Sequence, residues 1–126
     1  MLFMKITLLG NPQSTNHLYR KSARGIYMTE QGRCLKRSYW IEVKQQYKES
    51  PIQGDVFLDI KLFFGDKRKR DIDNHCKIVL DSMNEIVYED DSQIKKMHIE
   101  KFYDKIKPRV EVSIKKIKKH VENKKF

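Results

Sequence analysis

From Leu2 to Leu9 the apolar residues Leu2, Met4, Ile6 and Leu8 alternate with polar Lys5 and Thr7. That is the period of a strand with one buried face. The alternation is cleanest between Asp55 and Phe64, with Val56, Leu58, Ile60, Leu62 and Phe64 on one side and Asp59 and Lys61 on the other. It returns in Arg109–Lys116, where Val110, Val112 and Ile114 alternate with Glu111, Ser113 and Lys115. Lys96–Tyr103 reads as a further strand joined to it by 104–108, and Gly25–Thr29 as a short one.

Two stretches carry the helical period instead. From Glu30 to about Lys48, Leu35, Tyr39, Val43 and Tyr47 recur every four residues, Trp40 widens the stripe, and Ser50-Pro51 and Gly54 close it. From Asn74 to Val87, Cys76, Val79, Leu80, Met83, Ile86 and Val87 form an apolar stripe opposite Asn74, Lys77, Asp81 and Asn84. Asp73 stands where a helix N-cap would stand. Gly10–Ser14 has turn chemistry, and Thr15–Lys21 follows neither period, so it reads as a loop of the kind that often carries binding residues. The pattern predicts an α/β (α+β) fold: one small domain over 1–117, a mixed sheet of four to five strands, two helices, and a frayed basic tail at 118–126.

Composition narrows the function. The 126 residues suffice for one core of ordinary size. A net charge of +10 favours an anionic partner, most simply nucleic acid. No apolar run is long enough to span a bilayer, so no membrane role is expected. The first nine residues are short and interrupted by Lys5, unlike a signal peptide. Cys34 and Cys76 offer neither zinc spacing nor a disulfide framework and are expected to be reduced, packed and cytosolic. His75 and His98 lack a zinc partner at useful spacing and are read as non-ligands.

The chemistry concentrates in Asp71-Ile72-Asp73-Asn74, directly after Lys67-Arg68-Lys69-Arg70. If Ile72 points inward, both carboxylates emerge on one side, where they repel unless a cation neutralises them. Mg²⁺ suits such a place, since it takes one or two carboxylates together with phosphate and water. The bland alternative is that Asp73 caps the helix and Asp71 pairs with an arginine. Asp90-Asp91 is either an ordinary solvated loop or the missing ligand, brought back by the helix. Lys77 either balances charge on a phosphate or pairs with Asp81 four residues on. The basic run either aids solubility or contacts phosphate.

The set as a whole resembles the RusA-type Holliday junction resolvases. The resemblance rests on the basic run into Asp71-Ile72-Asp73-Asn74, on Lys77 and Asp81, and on Asp90-Asp91-Ser92-Gln93. It extends to Pro12, Ser14, Asn16, Tyr19, Arg20 and the stretch from Thr29 to Gly32. It implies a small α/β homodimer that binds four-way DNA junctions and nicks two opposing strands symmetrically, using Mg²⁺ or in its place Mn²⁺. Carried over, Asp71, Asp73 and Asp91 hold the metal, with Asp90 as the alternative to Asp91, and Lys77 is catalytic. Lys67, Arg68, Lys69, Arg70, Asn16, Tyr19 and Arg20 contact DNA. The setting implied is the cytoplasm, in a bacterium or from a phage gene. A two-fold dimer would give two matched cuts on a near-two-fold substrate. The rivals are a non-catalytic DNA-binding module, for which the carboxylates would only repel phosphate, a Mg²⁺ nuclease acting on flaps, and a toxin-like RNase, which more typically relies on His or Glu.

Overall fold

Strand β4 (Val56–Phe64) is the spine of a four-stranded sheet in the computed structural model, which describes residues 3–118. Its even-numbered side chains are buried and its odd-numbered ones half-buried, as the alternation predicts. The other strands are β1 (Phe3–Leu9), β5 (Ile94–Tyr103) and β6 (Arg109–Lys116), in the order β1-β6-β4-β5. β6 runs antiparallel to both neighbours, with Ile60 opposite Val112 and Val112 opposite Ile6. β4 and β5 are parallel, from Val56 beside Ile94 to Phe64 beside Tyr103. Parallel neighbours need a crossover, and the whole acidic motif lies within this one. Leu2 and the tail beyond residue 118 lie outside the described residues.

Helix α2 (Glu30–Gln46) covers the buried face of the sheet, burying Gly32, Tyr39 and Val43. Thr29 caps it by accepting the Gly32 N–H at 3.0 Å, and its own hydroxyl donates to the His17 carbonyl at 2.9 Å. Two expectations fail here. Trp40 does not widen the buried stripe but stands 46% exposed, with the Lys44 ammonium over its ring. Cys34 is exposed, and of the two cysteines only Cys76 is buried. Both exposed residues lie off the 39–43–47 line that meets the core.

The segment expected as a loop is ordered. Thr15–Leu18 forms a one-turn helix, α1, capped by Ser14, and β2 (Tyr19–Ser22) pairs with β3 (Gly25–Met28) as a separate hairpin. Leu18 is fully buried and holds this segment to the core. The second long helix is shorter than its pattern. Ile72–Asn74 is a 3₁₀ turn, and α3 spans only Lys77–Met83. Cys76, not Asp73, occupies the cap position, without a side-chain cap bond. Beyond Met83 the chain turns through Glu85 at φ 67°, whose N–H donates to the Tyr88 carbonyl at 2.7 Å. Val87 is buried and Ile86 half-buried from this turn, so apolar spacing alone imitated another helical turn.

Candidate active site in the β4–β5 crossover

Asp71 and Asp73 are both exposed and flank the half-buried Ile72, which packs against the core. Two hydrogen bonds fix the backbone beneath them. The Asn74 N–H reaches the Asp71 carbonyl at 3.3 Å, and His75 Nδ1 meets the same oxygen at 3.0 Å. A carbonyl only accepts, so His75 carries its proton on Nδ1. His75 is buried, edge-on to Phe64, and its burial holds its pKa below the ordinary value. Asn74 donates to Ser14 Oγ at 2.8 Å, tying the motif to the loop after β1. Between the two segments lies a cavity of about 420 Å³, lined by Asn11–Ser14 and His17 on one side and by Arg68–Asp71, Asn74 and His75 on the other.

The exposed face of α3 continues the site. Tyr19 donates its hydroxyl to Asp81 Oδ2 at 2.5 Å, and Lys77 Nζ lies 3.7 Å from the same oxygen and 4.9 Å above the Tyr19 ring. Burial first, and then Asp81, pushes the Tyr19 pKa well above the ordinary phenol value. It stays a neutral donor. Cys76 beneath is pushed up to about 11 by burial and then by the charge of Asp73, which makes it an inert thiol.

Asp90 and Asp91 are no longer equivalent. The Asp90 carboxylate accepts the Ser92 N–H at 3.0 Å and is held below the usual carboxylate range by the Ser92 side chain first and then by that bond, whereas Asp91 is half-buried. Gln93 secures this turn, donating to the carbonyls of Ile52 and Gly54 and accepting the N–H of Glu89 and of Asp90. Among the described residues, Asp71, Asp73 and Asp91 do not form a trio with ligand atoms all within 4.8 Å of one another. Among the described residues, the trio with ligand atoms all within 4.8 Å is Asp59, His98 and Glu100. Sequence spacing hid it, because Asp59 and His98 are register partners across β4 and β5. It lies on the sheet face turned away from the core, with His98 Nδ1 3.8 Å from Asp59 Oδ1.

The basic run divides. Lys67 lies over the Tyr103 ring, and Lys67, Arg68 and Lys69 are exposed. Arg70 points inward, its side chain 14% exposed, 4.4 Å over the Phe64 ring and 2.9 Å from Asp66. Asp66 also binds Arg68, and the Arg70 bond above all holds its carboxyl far below the usual range. Asn16 and Arg20 are exposed, while Tyr19 is turned to Asp81. Of the cavity's other lining residues, Ser14 belonged to the family resemblance, whereas Asn11, Gln13 and His17 were not singled out from sequence, because a Gly-Asn-Pro turn explains itself without a cavity.

The β4–β5 crossover thus presents two exposed carboxylates, a lysine and a basic rim along one stretch of chain. The Endodeoxyribonuclease RusA family matches residues 10–115. The chain belongs to that family. It is 27% identical over 138 aligned positions to the uncharacterised protein YqaN of Bacillus subtilis (strain 168), covering 90% of this chain and 96% of that protein. It is 30% identical over 104 positions to the crossover junction endodeoxyribonuclease RusA of Aquifex aeolicus (strain VF5), covering 82% of each. No helix among the described residues is long and apolar enough to cross a membrane.

Proposed function

We propose that this chain is a divalent-metal-dependent endonuclease that resolves four-way DNA junctions, working as a homodimer so that two sites make paired nicks. The observation that carries the reading is the exposed Asp71–Asp73 pair on a turn pinned from below, with Lys77 beginning the next helix, in a member of this family. The donor chemistry fits Mg²⁺, with Mn²⁺ in its place: two hard oxygen donors, unpaired with any cation among the described residues, and room for phosphate and water. Asp71 and Asp73 would hold the ion. Asp91 would be the further acidic ligand, favoured over Asp90 because Asp90 is committed to its own turn. Bound there, the ion would polarise the phosphodiester and lower the pKa of a water.

The chain's own residues do the rest. Lys77 supplies fixed positive charge to the phosphate in the transition state, and Asp81 with Tyr19 sets where its ammonium rests. Arg68 and Lys69 beside the cavity, together with Lys67, Asn16 and Arg20, contact the DNA backbone. Arg70 acts from beneath, shaping the loop through Asp66. Residues 1–117 are the nuclease domain, and the basic residues of 118–126 add non-specific DNA affinity.

Labelled four-way junction, flap, linear duplex and RNA, each with and without Mg²⁺, test this reading. Paired symmetric cuts in the junction alone are expected. A preferred flap or RNA substrate, or junction binding without cutting even in Mg²⁺, would overturn it.

A further inference from the structure

The hairpin β2–β3 is fixed at its base and bare at its tip. At the base, Tyr19 is bonded to Asp81, the Thr29 N–H donates to the Leu18 carbonyl at 2.9 Å, and Arg33 donates to the Met28 carbonyl at 2.9 Å. Gly32 lies so close beneath that a Cβ there would collide with the Leu18 carbonyl oxygen. Beyond the base every residue from Arg20 to Tyr27 is exposed, and Ile26 and Tyr27 are exposed by 63% and 53%. The turn is nonetheless ordered, with Ser22 Oγ bonded to the Arg24 N–H and to the Gly25 carbonyl, and Gly25 at φ 124°.

The chemistry of the tip is one-sided. Tyr19–Met28 contains Arg20, Lys21 and Arg24 and no acidic residue. The register sets Arg20 opposite Tyr27 and Lys21 opposite Ile26, so each large apolar side chain has a cation across the strands. Among the described residues no carboxylate pairs with these three cations. Cations flanking exposed flat or branched apolar groups match one occupant: nucleic acid with an opened base step, phosphates for the charges and a base face for Tyr27 and Ile26. The tip stands about three residues, or roughly 10 Å, beyond Tyr19. Because Tyr19 touches Lys77 and Asp81, the tip falls within a few base pairs of the candidate site.

We propose that this hairpin is a wedge that enters the branch point and stacks Tyr27 and Ile26 on the base pair exposed there, selecting branched over linear DNA. The proposal rests on the nuclease reading. Its test is a four-way junction with 2-aminopurine beside the crossover, bound in EDTA so that binding is read apart from cutting, with the same probe in linear duplex. The emission is expected to change on binding to the junction and not to duplex. The double variant I26A/Y27A should lose that change and bind the junction about tenfold more weakly, with duplex binding and melting temperature unchanged. Tyr27→Trp should restore it. If the protein selects and cuts junctions while the probe stays silent, or if I26A/Y27A gives the wild-type signal, the wedge alone is wrong and the hairpin serves another partner. If the wild-type protein has no preference for the junction, the nuclease reading fails and takes the wedge with it.

Discussion

The Tyr19 hydroxyl donates to Asp81 Oδ2 at 2.5 Å across 62 residues of sequence, joining the hairpin to the exposed face of α3. The same oxygen faces Lys77, so the hairpin, the helix and the lysine meet at one carboxylate. Tyr19→Phe keeps the ring beneath Lys77 and removes one hydrogen bond to a charged group, a loss of about 1.5–3 kcal/mol. Urea unfolding should show it. Cleavage should fall several-fold, because Asp81 is then free to draw Lys77 away from phosphate.

Gly32→Ala acts on the same assembly from below. The new methyl would meet the Leu18 carbonyl, which is backbone and cannot swing aside. Overpacking of this kind costs about 1–3 kcal/mol. Thermal melts should show the loss, and the Tyr19–Asp81 contact should loosen with it. An unchanged melting temperature would mean that Leu18 and α2 part easily.

Asp66→Asn should release Arg68 and Arg70 from their shared partner. The Asp66 pKa is depressed in the folded state, so its contribution is present above the ordinary value of 3.8 and lost as the pH falls toward the folded value. The wild type should therefore melt above the variant at pH 7, and the gap should narrow progressively as the pH falls below 3.8. With one negative charge gone beside the basic rim, the variant should bind DNA more tightly at low salt.

Lys77→Ala separates a catalytic lysine from a helix-surface one. Its pairing with Asp81 is half exposed and worth about 0.3–0.5 kcal/mol. A structural lysine would thus leave turnover nearly intact. A lysine that stabilises the transition state should cost about a hundredfold or more in single-turnover cleavage, with junction affinity and melting temperature close to wild type.

How far the fold was legible follows from where periodicity and packing agree. β4 and β6 emerged with their faces assigned because one face is buried along their length, so alternation reports burial directly. The sequence overextended α3 because Ile86 and Val87 keep helical spacing while Glu85 breaks the helix in a left-handed conformation, which nothing in a Glu announces. α1 and β2 are too short to show a period, and only the tertiary anchors Leu18 and Tyr19 order them. In the candidate site, the local carboxylate pair and Lys77 were legible. The partners Ser14 for Asn74 and Tyr19 for Asp81 were not, since each is some sixty residues away and no local pattern links them. Arg70 carries the same charge as Arg68, but only the fold shows that Phe64 and Asp66 draw it inward.

On the proposed reading, Asp71 and Asp73 bind the metal that drives strand cleavage. Asp73 is exposed and caps no helix, so Asp73→Asn should leave the fold and melting temperature unchanged. The decisive measurement is single-turnover cleavage of a labelled four-way junction by the wild type and Asp73→Asn across a Mg²⁺ titration, with gel-shift binding on the same DNA. Saturable Mg²⁺-dependent cutting is expected of the wild type. The variant should cut at least about a hundredfold more slowly and bind the junction as tightly or more tightly. A variant that cuts at a near wild-type rate with the same Mg²⁺ dependence would contradict that reading.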